Sequence, residues 1–529
     1  MSVSPGTTTS IKESWPWTKL IILWTCLAFF SSLPYLAGWA ATPSGEHYLG
    51  RIISAPGDVA AYYSNLVQAS HGHLLFQNNF TAEPQQARLF EPIWLVGGWL
   101  MAIFRLSPVI MFHALRVAAI FPFLMVLWMW AKKFTASNER RWMMLLIATT
   151  SSGLGWLSLK IPSWPLGFDA WVAESNSFLT MTHSALFLLS QALLAWLILR
   201  AWETLFEGKR SRWWGVWAAV LVLAHPYDAI TLGAVIAVFC LMTMWQKNSQ
   251  VWAFLLQGLW MVPLGLYYWW ALREPALAGW TDQNLNPSGP FLRFVIGYAW
   301  MLLFGAIGAA FLLRQQKRIV WAAIIWIGAA AILAYLPWIH FQRRLVNGLG
   351  IPFTMIGGYA IAVLLQRVRH FGARRVIAVA VVGLLAYTNA HLIFVTSAHL
   401  LKGNPPYPAN STADEGVILR AIRERVPDQQ PIAAPEWLGN DIAGLTGKTV
   451  VLGHDQQTIH FDQKEAQWTM YVDGQGTATE RQAALDELGA EWMVWETKNS
   501  GAYQPATDST WKAVVATPTL ILYQRQPGA

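Results

Sequence analysis

From Lys19 to about residue 397 the chain alternates long apolar runs with shorter polar segments. A run of about 20 apolar residues matches the hydrocarbon thickness of a bilayer, so each such run predicts a transmembrane helix. The first runs from Lys19 to Ala41. It is too long for a signal-peptide core and no small-residue cleavage site follows, so it is expected to be retained. Further spans are predicted at about 109–131, 142–159, 180–202, 213–227, 228–246, 251–271, 291–313, 319–340, 350–366 and 375–397. The run Ile93–Phe104 is too short to cross and is read as a re-entrant or interfacial helix. Taken as a full span, it would place Lys132-Lys133 and Arg140-Arg141 outside.

The polar segments fall into two kinds. Lys132-Lys133 with Arg140-Arg141, Lys209-Arg210-Ser211-Arg212, Lys247, Arg314 with Lys317-Arg318, and Arg367, Arg369 and Arg374-Arg375 are short and basic. The segments between them are longer, less basic and rich in Pro, Gly, Asn and Trp. Basic loops stay in the cytoplasm, which gives about eleven spans with the N-terminus cytoplasmic and the C-terminus outside. After Lys402-Gly403-Asn404-Pro405-Pro406 the pattern changes. Short strand-like runs (Thr449–Leu452, Trp492–Trp495, Leu520–Tyr523) alternate with helical patterns (Ala413–Arg425, Thr479–Leu488), which predicts a small α/β domain. The expected fold class is therefore an α-helical polytopic membrane protein with a small C-terminal extracytoplasmic α/β domain. Residues 1–400 form the membrane domain, with a large first outer loop at 41–108, and 401–529 form the soluble domain. An inner (cell) membrane location is expected.

Composition agrees with this class. The 529 residues are 55% hydrophobic and only 12% charged, with 32 tryptophans, a residue that favours membrane interfaces. The net charge of +8 belongs to the basic loops, so nucleic acid is not expected as a partner. Cys26 and Cys240 lie inside apolar runs and imply no disulfide framework.

The first outer loop stands out, because ordering about fifty polar residues between two spans costs conformational entropy that a plain connection would not spend. It contains Pro56-Gly57-Asp58-Val59-Ala60-Ala61-Tyr62-Tyr63, a carboxylate in an aromatic setting. Such a group can have a raised pKa and act as a general base toward a hydroxyl, although Gly57-Asp58 also suits a helix N-cap. Glu83 and Glu91 are weaker acids of the same loop. His225-Pro226-Tyr227-Asp228 interrupts an apolar stretch, as backbone lining a cavity or a plain outer turn would. His183 opens a span, either as a functional or as a satisfied helix-start histidine. Arg343-Arg344 oppose the positive-inside tendency. Their guanidinium forks suit a lipid phosphate, with pairing to headgroups or a nearby Glu as the alternative. No P-loop, dinucleotide glycine fingerprint, HExxH or CxxC motif occurs, and no metal or cofactor is predicted.

The layout resembles the glycosyltransferase-C superfamily, integral membrane enzymes that use polyprenyl-phosphate-linked sugars. The sharpest match is Asp58 with Tyr62, the loop running to Glu83, and Arg116 opening the next full span. The stretch Gly447-Lys448-Thr449-Val450-Val451-Leu452-Gly453-His454 is similar to tail domains of bacterial members. The resemblance implies that Asp58 is the catalytic base. Many members carry an adjacent acidic pair, whereas Val59 follows here, and Glu83 or Glu91 is left as the second acid. Tyr62, Glu83, His183, His225, Asp228, Arg343 and Arg344 are expected to contact substrate. The expected activity is hexosyl or pentosyl transfer, with inversion, from a polyprenyl-phosphate donor to a hydroxyl of a glycan, lipid or protein acceptor on the outer face. Membrane lipids and the lipid-linked sugar are the expected partners. A transporter or flippase of lipid-linked saccharides, or a non-catalytic assembly scaffold, are the alternatives.

Overall fold

A computed structural model of the protein describes residues 15–51, 55–246, 250–403, 409–499, 504–507 and 509–526. Lys247, Asn404-Pro405-Pro406 and the N-terminal residues 1–14 lie outside the described residues. Among the described residues, seven helices are long and apolar enough to cross a membrane. They are Trp17–Ala41, Pro108–Phe134, Ala185–Glu207, Asp228–Trp245, Gln250–Ala271, Phe291–Arg314 and Gln342–Gln366. Phe371–Leu385 and Tyr387–Leu401 make an eighth if taken together, bent by 59° at their junction.

Three of the predicted spans come out shorter, as Asn138–Thr150, Trp214–Ala224 and Val320–Leu333. Local chemistry explains the second. Pro226 disfavours helical backbone at the residue before it, and His225 is accordingly extended at φ −149°, ψ 89°. Ile93–Phe104 forms the helix Pro92–Phe104. It ends on Arg105 in the left-handed conformation (φ 53°), and Ser107 then caps the next helix by accepting from the Ile110 amide.

Two helices are central. The apolar window of Ala185–Glu207 is 78% buried and that of Gln342–Gln366 is 89% buried, against 28% for Trp17–Ala41. Their N-terminal ends are tied together, with Asn347 donating to Ser190 Oγ at 2.9 Å and Gln191 donating to Asn347 Oδ1 at 3.1 Å. Deeper in the bundle, Trp130, Trp326 and Tyr359 are fully buried, and Trp130 Nε1 donates to the Ala195 carbonyl at 2.9 Å. At the opposite end of the bundle from the first loop, Lys133 pairs with Glu203 and Glu207 at 2.6 Å each.

The C-terminal part is a small α/β unit. Its four-stranded sheet runs Ile432–Ala433, Trp492–Glu496, Leu520–Arg525, Trp511–Ala516 in spatial order, parallel at the first pair and antiparallel at the others. Helix Ala413–Arg425 starts at a capping box between Thr412 and Glu415. The strand expected at Thr449–Leu452 is reduced to one bridge, Ile432 to Val450, and on its other edge the Val450 amide donates to the Asn79 carbonyl of the first loop at 2.9 Å.

That contact belongs to an extensive docking of this unit onto the first loop. His47–Tyr48 pairs antiparallel with Asn410–Ser411. The loop helix Pro56–Ser70 begins at Pro56, whose fixed φ suits a first helical turn, and buries Val59, Ala60, Tyr63, Leu66 and Val67 along one side. Gly444 of helix Glu436–Thr446 approaches Ala60 so closely that a Cβ there would lie 3.0 Å from the Ala60 carbonyl oxygen. Gly447 ends that helix at φ +71°, a conformation glycine adopts without steric cost, and its carbonyl accepts from Asn79 at 2.9 Å. Asn78 donates to the Gln457 carbonyl at 2.8 Å and Thr458 donates to the Phe80 carbonyl at 2.7 Å. Lys464 pairs with Glu83 at 2.6 Å, and Arg51 pairs with Asp441 in a fully buried contact.

Candidate active site

Asp58 lies in the first turn of Pro56–Ser70. It is not the N-cap that Gly57-Asp58 suggested, because the helix begins two residues earlier and Ala55 occupies that position. A carboxylate here is favoured by the positive end of the helix dipole. Its side chain keeps 31% of its surface exposed. Its Oδ1 accepts from His454 Nε2 at 3.1 Å, across 396 positions of sequence. His454 is 5% exposed, and its Nδ1 lies 3.0 Å from Asp455 Oδ1. The Gln456 amide lies between the two, donating to Asp455 Oδ1 at 2.8 Å and reaching His454 Nδ1 at 3.1 Å. Gly57 makes room for the ring, since a Cβ there would lie 3.1 Å from His454 Cδ2.

The electrostatics follow from this geometry. Burial alone would raise the Asp58 carboxyl. The hydrogen bond and positive charge of His454, with Arg344 and His183 adding, outweigh burial and hold it well below the ordinary carboxylate range. The raised value expected from the aromatic setting is therefore corrected: a cation supplied by the distant C-terminal unit overrides desolvation. Burial would lower His454, but the hydrogen bonds to Asp455 and Asp58, with their charges, push it up to about 9.

Tyr62 lies one turn beyond Asp58 on the same face and stacks on Trp94 at 4.6 Å. Burial raises its hydroxyl well above the usual value, and Asp58, Glu91 and Glu174 raise it further while Arg344 opposes. One turn on again, Asn65 donates to Glu91 at 2.8 Å. Burial pushes Glu91 up to about 7, with Asn65 and His225 opposing.

Phe187 gathers the remaining candidates. His183 stacks on its ring at 5.7 Å, His225 meets it edge-on at 5.6 Å, and the Arg344 guanidinium lies 5.9 Å from its centroid. Arg344 pairs with Glu174 at 2.6 Å, which is the alternative that the sequence left open beside a phosphate. Arg343 donates to Asn286 and lies over Trp171 at 4.7 Å. Burial would raise Glu174, but Arg344 and Arg343 hold it ionised below its usual range. Asp228 accepts from Asn347 at both oxygens, at 2.9 and 3.0 Å, and lies 3.1 Å from His225 Nδ1. Asp228 is itself 1% exposed. Arg116 is buried one layer away, bonded to Ser31, Ser32 and the Met181 carbonyl.

The structure thus brings Asp58, Tyr62, His183, Arg343 and Arg344 into mutual electrostatic reach, with His225 and Asp228 beside them and Glu174 added. Glu83 stands apart, committed to Lys464 and Thr81 in the docking interface. His454 and Asp455 were missed as site residues. The only trace of them was the stretch Gly447–His454, since nothing in the pattern ties residue 454 to residue 58. Among the described residues, no group of three or more His, Cys, Asp or Glu is placed to hold a metal ion.

Comparison with solved structures places this architecture. ArnT from Cupriavidus metallidurans in the apo state aligns at TM-score 0.50 with 12% identity, over 96% of this chain and 98% of that one. The oligosaccharyltransferase AglB from Archaeoglobus fulgidus, in complex with an inhibitory peptide and a dolichol-phosphate, aligns at TM-score 0.50 with 13% identity, over 91% of this chain and 70% of that one. The chain has the glycosyltransferase-C fold. A second ArnT structure, bound to undecaprenyl phosphate, aligns at TM-score 0.49 with 12% identity, over 97% of this chain and 99% of that one. No family model and no curated protein matches the sequence. With its apolar spans, the glycosyltransferase-C fold makes this an integral membrane protein with a small C-terminal sheet domain.

Proposed function

We propose that the protein is a membrane glycosyltransferase that moves a sugar from a polyprenyl-phosphate donor to an acceptor hydroxyl, with Asp58 as the base. The observation that carries this reading is a partly exposed, ionised Asp58 within electrostatic reach of Arg344 and Tyr62 on the first-loop helix. The fold shared with AglB, whose structure holds a dolichol-phosphate, supports a lipid-phosphate donor. Arg343 and Arg344 bring two guanidinium cations within electrostatic reach of Asp58, which suits the charge of the donor's phosphate. The acceptor oxygen attacks the anomeric carbon as the bond from that carbon to the phosphate oxygen breaks. The hydroxyl proton passes to Asp58, and the lipid phosphate leaves from the opposite face, inverting configuration. A carboxylate of low pKa is always in its basic form. It takes the proton late, once the oxocarbenium-like transition state has made the hydroxyl acidic. The reaction faces outward, on the side given by the basic-loop pattern, with the N-terminus cytoplasmic.

The test is Asp58→Asn in a strain lacking the wild-type protein. Mass spectrometry of its lipids should show the donor accumulating as in the deletion strain, with the variant present in the membrane at normal level. Near-normal transfer by Asp58→Asn would sink the assignment.

A further inference from the structure

The C-terminal unit is docked through buried bonds, and it puts one titratable side chain against the first-loop carboxylate: His454, held from behind by Asp455. We propose that His454 is a positioning residue for Asp58, so that the proposed active site is shared between the first loop and the C-terminal domain. This rests on the reading of Asp58 as the base.

Three observations carry it. First, the contact is built rather than incidental. His454 is 5% exposed, whereas His71 and His73 are exposed at the surface, and Gly57 leaves the space its ring needs. Second, the hydrogen bond takes only Oδ1 of Asp58. Oδ2 receives none among the described residues, and 31% of the side chain remains exposed. The imidazole therefore fixes the carboxylate's rotation while leaving one oxygen for an acceptor hydroxyl. Third, the charges agree. Asp58 is faced by His454, Arg344, His183 and the Tyr62 hydroxyl, and His454 by Asp58, Asp455 and, more remotely, Glu436. An imidazolium between two carboxylates has no lone pair with which to take the acceptor's proton, so its part is to orient Asp58 and keep it ionised. The proton Asp58 collects leaves through Oδ2 to water.

The same arrangement gives the tail domain a reason to be fixed in place. Asn78, Phe80 and Thr81 of the loop bond to Gln457, Thr458 and Ile459 immediately after His454, so the loop and the histidine move as one.

The test uses the full-length protein in membrane vesicles from a strain lacking it, which hold the native donor. Infrared difference spectra of wild type against Asp58→Asn identify the Asp58 carboxyl band. In His454→Gln that band is expected to appear at a pH at least one unit higher than in wild type. The acid limb of sugar transfer should move with it, and transfer at pH 7 should fall about tenfold to a hundredfold. Added imidazole should restore part of the transfer in His454→Ala. Asp455→Asn, at a mostly exposed position, should move the band in the same direction by less. An Asp58 band and acid limb unmoved in both His454→Gln and Asp455→Asn, with Asp58→Asn inactive, would overturn this inference while leaving Asp58 as the base. An active Asp58→Asn would overturn the base reading itself. Should His454→Ala misfold, the Asp455→Asn titration still decides between them.

Discussion

The ion pair between His454 and Asp58 predicts that the C-terminal domain loosens over the first loop in alkali. His454 is nearly fully buried, and its two carboxylate partners raise it from 6.5 to about 9. Because the folded value lies above the unfolded one, the stabilisation is complete below pH 6.5 and is lost as pH rises through 9. At pH 7 the linkage is worth about 2.5 kcal/mol, and by pH 9.5 only a few tenths remain. Asp58 acts in the other direction. Its depressed value contributes above the ordinary carboxylate range and is lost only in acid, so the contact is strongest between about pH 4 and 8. The perturbation is His454→Gln, which keeps a hydrogen-bonding side chain and removes the cation. The assay is hydrogen exchange, read as protection factors over residues 454–460 and the start of the loop helix. Wild type should lose roughly 50- to 100-fold in protection between pH 7 and pH 9.5. His454→Gln should begin near the lower value and change little. Wild-type protection that is flat over this range would refute the imidazolium. An equal loss with pH in His454→Gln would assign the transition to another group.

Other outcomes follow from the same structure. Glu174→Gln leaves the buried Arg344 guanidinium without its carboxylate and should destabilise the protein by about 3 to 5 kcal/mol, seen as a lowered unfolding temperature in detergent. Glu83→Gln leaves Lys464, whose side chain is 10% exposed, without its carboxylate, and should cost about 1 to 3 kcal/mol by the same measurement. Glu91 is raised to about 7 by burial, so the folded state loses stability as pH climbs from 4.5 to 7. Glu91→Gln should therefore be more stable than wild type at pH 8 but not at pH 5, and equal stabilities at pH 8 would contradict the buried assignment.

Much of the architecture was legible along the chain. Apolar runs located the helices because a bilayer demands about 20 apolar residues wherever the backbone crosses it. Helix Ala413–Arg425 came out at its predicted limits, since its capping box and amphipathic period are local signals. Span ends were less legible. The run at 142–159 stops as a helix at Thr150, and the run at 375–397 lies within two helices bent against each other. Apolarity marks what lies in the membrane, but not where the hydrogen-bond ladder breaks.

The site divides in the same way. Asp58, Tyr62, His183, His225, Asp228, Arg343 and Arg344 were singled out by residue type in an unusual place, as a polar group in apolar surroundings or a basic pair on the wrong side. Such residues are costly unless something uses them, so the sequence alone marks them as candidates. Their partners were decided only by the fold. Glu174 for Arg344, Asn347 for Asp228 and His454 for Asp58 come from segments 170, 119 and 396 positions away. Charge interactions depend on distance and burial, and neither is encoded by spacing along the chain. The sign of the Asp58 shift depended on that last contact. Local sequence surrounds the carboxylate with aromatic rings that would raise its pKa, and tertiary structure brings an imidazolium to 3.1 Å that lowers it.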